Sequence, residues 1–252
     1  MVRWRDLPGE VIELYSPVGL LPVDAFSGTA PIGRLSALLD ARDESGNWRE
    51  TDIEEVRTPG EMITYPGLGR SAEVLSRPER FFRVRIEAEF YQPFYRLDSD
   101  GIEFSAHPYN DANPPEDYPK NPEDFPDYLK RVLKKVFLAP APNYPFPDHI
   151  PVLRGVVIDK ETLEPVVDVE VAWGNKEKTL TTGPPGAIDD KKKRVLTVTK
   201  GVFALPLRIT DKAQLNKKLK IDALDHRAGR MGEIEIEIPK DLGKNHIISI
   251  EQ

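Results

Sequence analysis

The 252-residue chain contains no cysteine. Disulfides, thiolate metal sites and a cysteine nucleophile are thereby excluded. No apolar run approaches the ~18 residues that a membrane-spanning helix needs. The opening "MVRWRDLPGEVIELYSP" places Arg3, Arg5 and Asp6 where a secretory leader carries its uninterrupted apolar stretch. Synthesis in the cytoplasm without a signal peptide, and no membrane span, are therefore expected. Positive charge is short as well: 35 Lys and Arg stand against 42 Asp and Glu, a net charge of −7. A nucleic-acid partner is not expected, because neutralising phosphates takes clustered basic residues. The dense basic run "DDKKKR" (189–194) opens with two aspartates and reads as a solvated turn.

Histidine is scarce too. His107, His149, His226 and His246 form neither HxxxH nor HExxH, so no metal or general-base spacing is present. "DSDG" (98–101) lacks the remainder of a calcium loop and reads as a β-turn. The glycines of "TYPGLGR" (64–70) do not follow a βαβ pattern, and "SGTAP" lacks the strand–elbow–helix setting of a hydrolase nucleophile. No catalytic, cofactor-binding or metal-binding residue is assigned, and a small-molecule ligand is not expected.

What the chain has in quantity is proline and short alternating apolar runs. In "VLRGVVIDKETLEPVVDVEVAW" (152–173), Val152 to Ile158 is β-branched and apolar, and a charged turn closes at Pro165. Val167, Val169 and Val171 then alternate with Asp168 and Glu170, the period of a half-buried strand. "RVLTVTKGVFALPLRI" (194–209) gives two strands about Lys200–Gly201, followed by "KKLKIDALDH" (217–226), "GEIEIEIP" (232–239) and "HIISIEQ" (246–252). Short strands at roughly 8–12-residue spacing predict a β-sandwich. The first half repeats the grammar. Asp24 to Pro31 corresponds to Asp159 to Pro165 with one residue inserted, and Leu35 follows its proline as Val169 does. "EMITYPGLGR" (61–70) and "RFFRVRIEAEFYQPFY" (80–95) take the places of the later strands. The expectation is a mainly β protein of two tandem Ig-like sandwiches, residues 1–106 and 151–252.

Some glycines and prolines have physical work in this pattern. Gly155 inside a strand either lets a neighbouring chain approach or relieves a bend. Pro165 fixes a turn exit, and Gly201 stands where a hairpin needs positive φ. The same residues carry a resemblance. "LRGVVIDKETLEPVVDVEV…TVTKGVFALPL" resembles the carboxypeptidase regulatory-like domain, a transthyretin-like (prealbumin-like) sandwich. Gly155, Val156, Pro165 and Val166 match its Gly-x-Val strand and Pro-Val entry. Thr199, Gly201 and Phe203 approximate its later Thr-x-x-Gly-x-Phe turn with one residue fewer. The resemblance implies a transthyretin-like fold over about the last hundred residues, and only Asp24, Gly28, Pro31 and Gly67 suggest it in the first copy. One transthyretin-like subfamily, the 5-hydroxyisourate hydrolases, is catalytic, but its Tyr-Arg-Gly-Ser motif is missing from this sequence.

Residues 107–150 form a connector dominated by Pro, Tyr and Phe, a composition of extended chain held by aromatic packing. Within it, "PEDFPDYLKRVLKKVF" (122–137) predicts a short helix. Acidic residues begin it, Lys and Arg end it, Pro126 sits in its first turn, and Tyr128, Val132, Leu133 and Val136 share a face. Tyr109, Tyr118, Phe125, Tyr128, Tyr144 and Phe146 are the candidate partner contacts, since aromatic anchors dominate interface energetics. For Tyr144 and Phe146 burial between the two domains is the favoured alternative. The leading expectation is a non-catalytic structural or adaptor protein of a phage-like particle: a tail, a baseplate or a contractile injection system. Its partners would be other proteins of the assembly, including further copies of itself. Two other expectations stand beside it. One is a carbohydrate or cell-surface binding module, with Trp48 and Trp173 as candidate platforms. The other is a small hydrolase of the transthyretin-like class.

Overall fold

A computed structural model of the chain describes residues 2–4, 12–73, 77–92, 102–116, 118–119, 121–173, 193–196, 199–207 and 218–251. The "DSDG" turn lies outside these, as does the "DDKKKR" turn up to the strand beginning at Lys193. The described chain is mainly β, as the alternating runs predict, with one short helix. Packing divides it into two compact units. The first comprises Met1–Val23, Thr29–Glu89 and Pro93–Leu138; the second comprises Asp24–Gly28, Phe90–Gln92 and Ala139–Gln252. Residues 107–138 thus group with the first unit and 139–150 with the second.

In chain order the first half carries β1 (Val2–Trp4), β2 (Ile12–Leu14), β3 (Gly19–Asp24), β4 (Leu35–Arg42), β5 (Trp48–Glu50), β6 (Val56–Arg57), β7 (Ile63–Thr64), β8 (Arg80–Ala88) and β9 (Ile102–Ala106). Helix α1 (Phe125–Val132) and β10 (Leu133–Leu138) follow. One sheet runs β5-β4-β8-β9 and another β10-β3-β7-β6, while β1 and β2 pair with each other. Antiparallel pairing of β4 with β8 sets Ala37 opposite Ile86, Leu39 opposite Val84 and Ala41 opposite Phe82. Leu39, Phe82, Val84 and Ile86 are buried, as are Leu20, Ile63, Val136 and Leu138 of the other sheet. Tyr65, just after β7, donates its hydroxyl to the Ala37 carbonyl of β4 at 3.2 Å. Burial pushes its pKa up, so the phenol remains a neutral donor.

The helix expected over 122–137 is shorter. A 3-10 turn at Pro122–Asp124 leads into α1, and Leu133 leaves helical conformation at φ −87°, ψ 119°. The reason lies in the next six residues. "LKKVFL" buries Val136 and Leu138 at a period of two, and β3 offers a strand to pair with. That tertiary pairing overrides the helical spacing of Val132, Leu133 and Val136.

The second unit holds β11 (Val152–Asp159), β12 (Glu170–Trp173), β13 (Lys193–Leu196), β14 (Val202–Pro206), β15 (Lys218–Asp225), β16 (Arg230–Glu237) and β17 (Asn245–Ile250). Sheets β14-β11-β17 and β13-β12-β15-β16 contribute to one core that includes Leu153, Val157, Val171, Phe203, Leu205, Ile221, Ile236 and Ile248. Strand β11 pairs antiparallel with β14 and parallel with β17. The strand expected from Val167 begins only at Glu170, because Asp168 takes φ 60° and breaks the extended run. Gly201, as its position predicts, has φ 66°, and Lys200 before it has φ 63°.

The turns at Asp24 and Asp159, matched in the sequence, have one geometry. Asp24 Oδ1 accepts the N–H groups of Phe26 and Ser27 at 2.7 and 3.3 Å, and its carbonyl accepts that of Gly28 at 2.8 Å. Asp159 Oδ1 accepts those of Glu161 and Thr162 at 2.8 and 2.9 Å, and its carbonyl accepts that of Leu163 at 2.9 Å. Asp225 does the same with Arg227, Ala228 and Gly229. A third copy inside the second unit makes the motif a strand exit used repeatedly, not a mark of duplication alone. Its closing residue has φ 76° in Gly28, 58° in Leu163 and 67° in Gly229. Leucine there costs about 1–2 kcal/mol relative to glycine, and it is 70% exposed, with little packing to lose. Leu163→Gly is expected to stabilise the second unit by about 1 kcal/mol, read as a raised denaturant midpoint. A lowered midpoint would show that Leu163 is held by contacts worth more than the strain.

Candidate interaction surface

The candidate aromatics fall into two clusters. In the first unit a ladder of rings leads from core to surface. Tyr109 is buried, and its ring meets Tyr15 edge-on at 5.2 Å. Tyr15 meets Tyr118 at 4.4 Å, and Tyr118 meets Tyr128 of α1 at 5.5 Å. The Arg131 guanidinium covers Tyr128 at 5.7 Å. Tyr109 is pinned from several sides: its backbone bonds Gly69 and Ser71, and its hydroxyl accepts the Tyr15 N–H at 3.3 Å. At 2% exposure it has no surface to offer a partner, whereas Tyr118 and Tyr128 are half-buried. The Phe125 side chain lies outside the described residues. The sequence reading missed Tyr15, the rung that joins the candidates; an aromatic ahead of Ser-Pro in "LYSP" is the only local signal.

In the second unit Tyr144 and Phe146 pack with Phe26 and Tyr91, at ring separations between 4.7 and 5.6 Å. Tyr144 donates its hydroxyl to Asp24 Oδ2 at 2.5 Å, and both residues are buried. Burial, then the adjacent Asp24 carboxylate, push the Tyr144 pKa up. Backbone bonds from Gln92 to Ala139 and from Ala141 to Phe90 complete the cluster. Its aromatics hold chain segments together, and only Phe146 among the two candidates keeps appreciable exposure.

The solvent side of α1 and β10 is different. Glu116, Glu123, Asp124 and Asp127 are exposed, and so are Lys130, Arg131, Lys134 and Lys135. Asp127 pairs with Lys130 at 2.7 Å. Lys134 and Lys135 have no ion-pair partner among the described residues. Leu129 is 47% and Phe137 37% exposed, and β10 is an edge strand of its sheet. Exposed apolar and basic side chains on an edge strand, Phe137 with Lys135 on the same face, are suited to a macromolecular partner.

Deep charges are instead tied to one another. On the β4–β8 face Asp40 and Arg83 are 1% and 3% exposed. Asp40 Oδ2 accepts Arg83 Nε and Nη2 at 2.9 and 2.6 Å and Arg85 Nε at 2.9 Å, and Oδ1 accepts Arg85 Nη2 at 2.9 Å. Arg85 Nη2 also reaches Glu50 at 2.7 Å. Trp48 is covered by the guanidinium of Arg83 at 5.0 Å and that of Arg42 at 6.0 Å. Trp173 lies in the core of the second unit. Of the two tryptophans suggested as sugar platforms, Trp173 is therefore engaged inside the fold, while Trp48 is half-buried against two guanidinium groups. In the second unit Arg230 joins Asp225, at 2.7 Å, to Asp159, fastening two of the Asp turns together.

Each histidine sits apart from the others' partners. His107 meets Glu79 at 3.2 Å, His226 meets Glu170 at 3.0 Å, His246 donates to the Asp241 carbonyl at 2.9 Å, and His149 is exposed. Among the described residues no three His, Asp or Glu side chains converge as metal ligands, and no helix is long and apolar enough to cross a membrane.

No family model and no curated protein matches the chain. Among solved structures, a Streptococcal ancillary pilin aligns over 92% of this chain and 61% of its own, at 12% identity and a TM-score of 0.27. The chain thus spans about 61% of that pilin's length, and a superposition at this score does not establish a common fold.

Proposed function

We propose that this chain is a non-catalytic structural or adaptor protein of a phage-like particle, acting through protein–protein contacts. Its two sandwich modules are built mainly from residues 1–106 and 151–252, with β10 of the 107–150 segment joining a sheet of the first, and that segment supplies contacts. The second module is transthyretin-like, a reading supported by Gly155, Pro165 and Gly201 in their strand and turn positions. One observation carries the functional reading. Buried polar groups, such as Asp40 with Arg83 and Asp24 with Tyr144, are used up as internal ties. The exposed residues of α1 and β10 instead include Lys134 and Lys135, without ion-pair partners among the described residues, and the apolar Leu129 and Phe137. Internal ties fix a scaffold, and exposed apolar and basic side chains of this kind meet another macromolecule.

The test is size fractionation of an undisturbed native lysate. The protein is expected in a complex well above its own 28.5 kDa, in fractions shared with particle components. Elution as a free 28.5-kDa chain at native concentration contradicts the reading.

A further inference from the structure

We propose that the outer face of sheet β14-β11-β17 docks a different protein, one that presents an apolar surface with a carboxylate beside it. The inference rests on the assembly reading above and adds a second contact surface to the connector. Strand register puts the residues on one face. Val156 of β11 stands opposite Val202 of β14 and opposite Ile247 of β17. Their chain neighbours Val157, Phe203 and Ile248 are buried in the core, so by alternation the Val202–Val156–Ile247 row points outward. Ile247 is 59% and Val202 36% exposed, and Val156 is half-buried between them.

Strand propensity does not account for this row. The other sheet of the same unit makes β15 and β16 with charged side chains outside. There Lys218, Lys220 and Asp222 stand opposite Glu237, Glu235 and Glu233. Lys220 pairs with Glu233 and Lys218 with Glu235. That face is built for water, as the outward positions of a sandwich ordinarily are. An aliphatic row across three strands marks a surface that meets something else.

Charge selects the occupant. Arg154, two residues before Val156 on the same face of β11, is exposed. It donates to the Pro142 carbonyl and has no ion-pair partner among the described residues. At the far end of β11 and β17, Lys160 and Glu251 already pair with each other. The outward positions of the three strands (154, 156 and 158; 202, 204 and 206; 245, 247 and 249) contain no acid. A second copy docked face to face therefore brings Arg154 no carboxylate. A different protein with a carboxylate beside an apolar patch satisfies both the row and the cation.

The experiment compares the full chain in its native complex with the purified chain. In hydroxyl-radical footprinting, Ile247 and Val202 are expected to label several-fold more slowly in the complex, because a docked partner excludes water. Ile247→Asp and Arg154→Glu, each expressed in place of the wild type, are expected to weaken incorporation about tenfold or more. Both change exposed side chains, and thermal melts check that each variant folds. Arg154→Lys keeps the charge and supplies an amine. Zero-length carbodiimide coupling of this variant is expected to join position 154 to a carboxylate of a different protein. Equal labelling in the two states overturns the proposal, and so does a position 154 left uncoupled or coupled only to this chain or another copy of it. If the chain is still found in a complex, the assembly reading stands without this face; a chain found in no complex overturns both.

Discussion

Asp40→Ala is expected to lower the stability of the first unit by about 3–5 kcal/mol, the range for removing one partner of a buried charge pair. Asp40 is the acceptor for two guanidinium groups, and Arg83 is only 3% exposed. Without the carboxylate, Arg83 remains under Trp48 with its charge uncompensated and no route to water. Asp40→Asn keeps an acceptor oxygen but not the charge, and is expected to fall between the two. The effect also has a pH signature. Burial raises the Asp40 pKa, but the hydrogen bonds and charges of Arg85 and Arg83 outweigh it, so the net shift is downward. A carboxyl depressed on folding contributes stability above its unfolded pKa of about 3.9, and that contribution is lost as pH falls through the folded value. The gap between wild type and Asp40→Ala is therefore expected to be full at neutral pH and to narrow below about pH 4. Urea melts at several pH values measure it. A gap independent of pH would mean that the ion pairs do not set the stability of this face.

Gly155→Ala is expected to cost the second unit about 3 kcal/mol, at the upper end of core overpacking. A Cβ at this position would stand on the carbonyl oxygen of His246 and 2.8 Å from the Phe203 ring. His246 lies directly opposite Gly155 in the parallel β11–β17 pair, and Phe203 opposite it in β14. The obstacle on one side is backbone, which cannot rotate away, so the central strand itself must shift. A denaturant midpoint close to wild type would show that β11 and β17 separate at little cost and are not the rigid centre of this sandwich.

Gly155 also shows what was legible in the sequence. A glycine inside a β-branched run has few uses in a strand, close approach or relief of a bend, and the structure shows the first. Gly201 and the Asp24 and Asp159 turns were equally legible, because positive φ and side-chain-to-backbone bonding are local. Strands β15 and β16 followed from period-two patterns, and β11, β14 and β17 from short apolar, β-branched runs between turn residues. The failures were non-local. Whether "LKKVFL" continues α1 or becomes β10 depends on β3 waiting more than a hundred residues earlier. Val167 alternates correctly but is detached from β12 by the φ of Asp168. Tyr109 and Tyr144 look like surface anchors in a Pro-rich segment. Burial was anticipated for Tyr144 alone, and the fold supplies the distant partners, Tyr15 for Tyr109 and Asp24 for Tyr144. Lys134, Lys135 and Phe137 were read as the end of a helix, so their place on a sheet edge was not visible.

Cross-linking mass spectrometry of the native assembly tests the central claim most directly, that this chain works by docking through its connector and not through a pocket. Amine-reactive cross-links from Lys130, Lys134 and Lys135 to other protein chains, including further copies of this one, are the predicted result. Partner cross-links confined to other faces of the two units, with those three lysines reactive yet unlinked, would contradict the account.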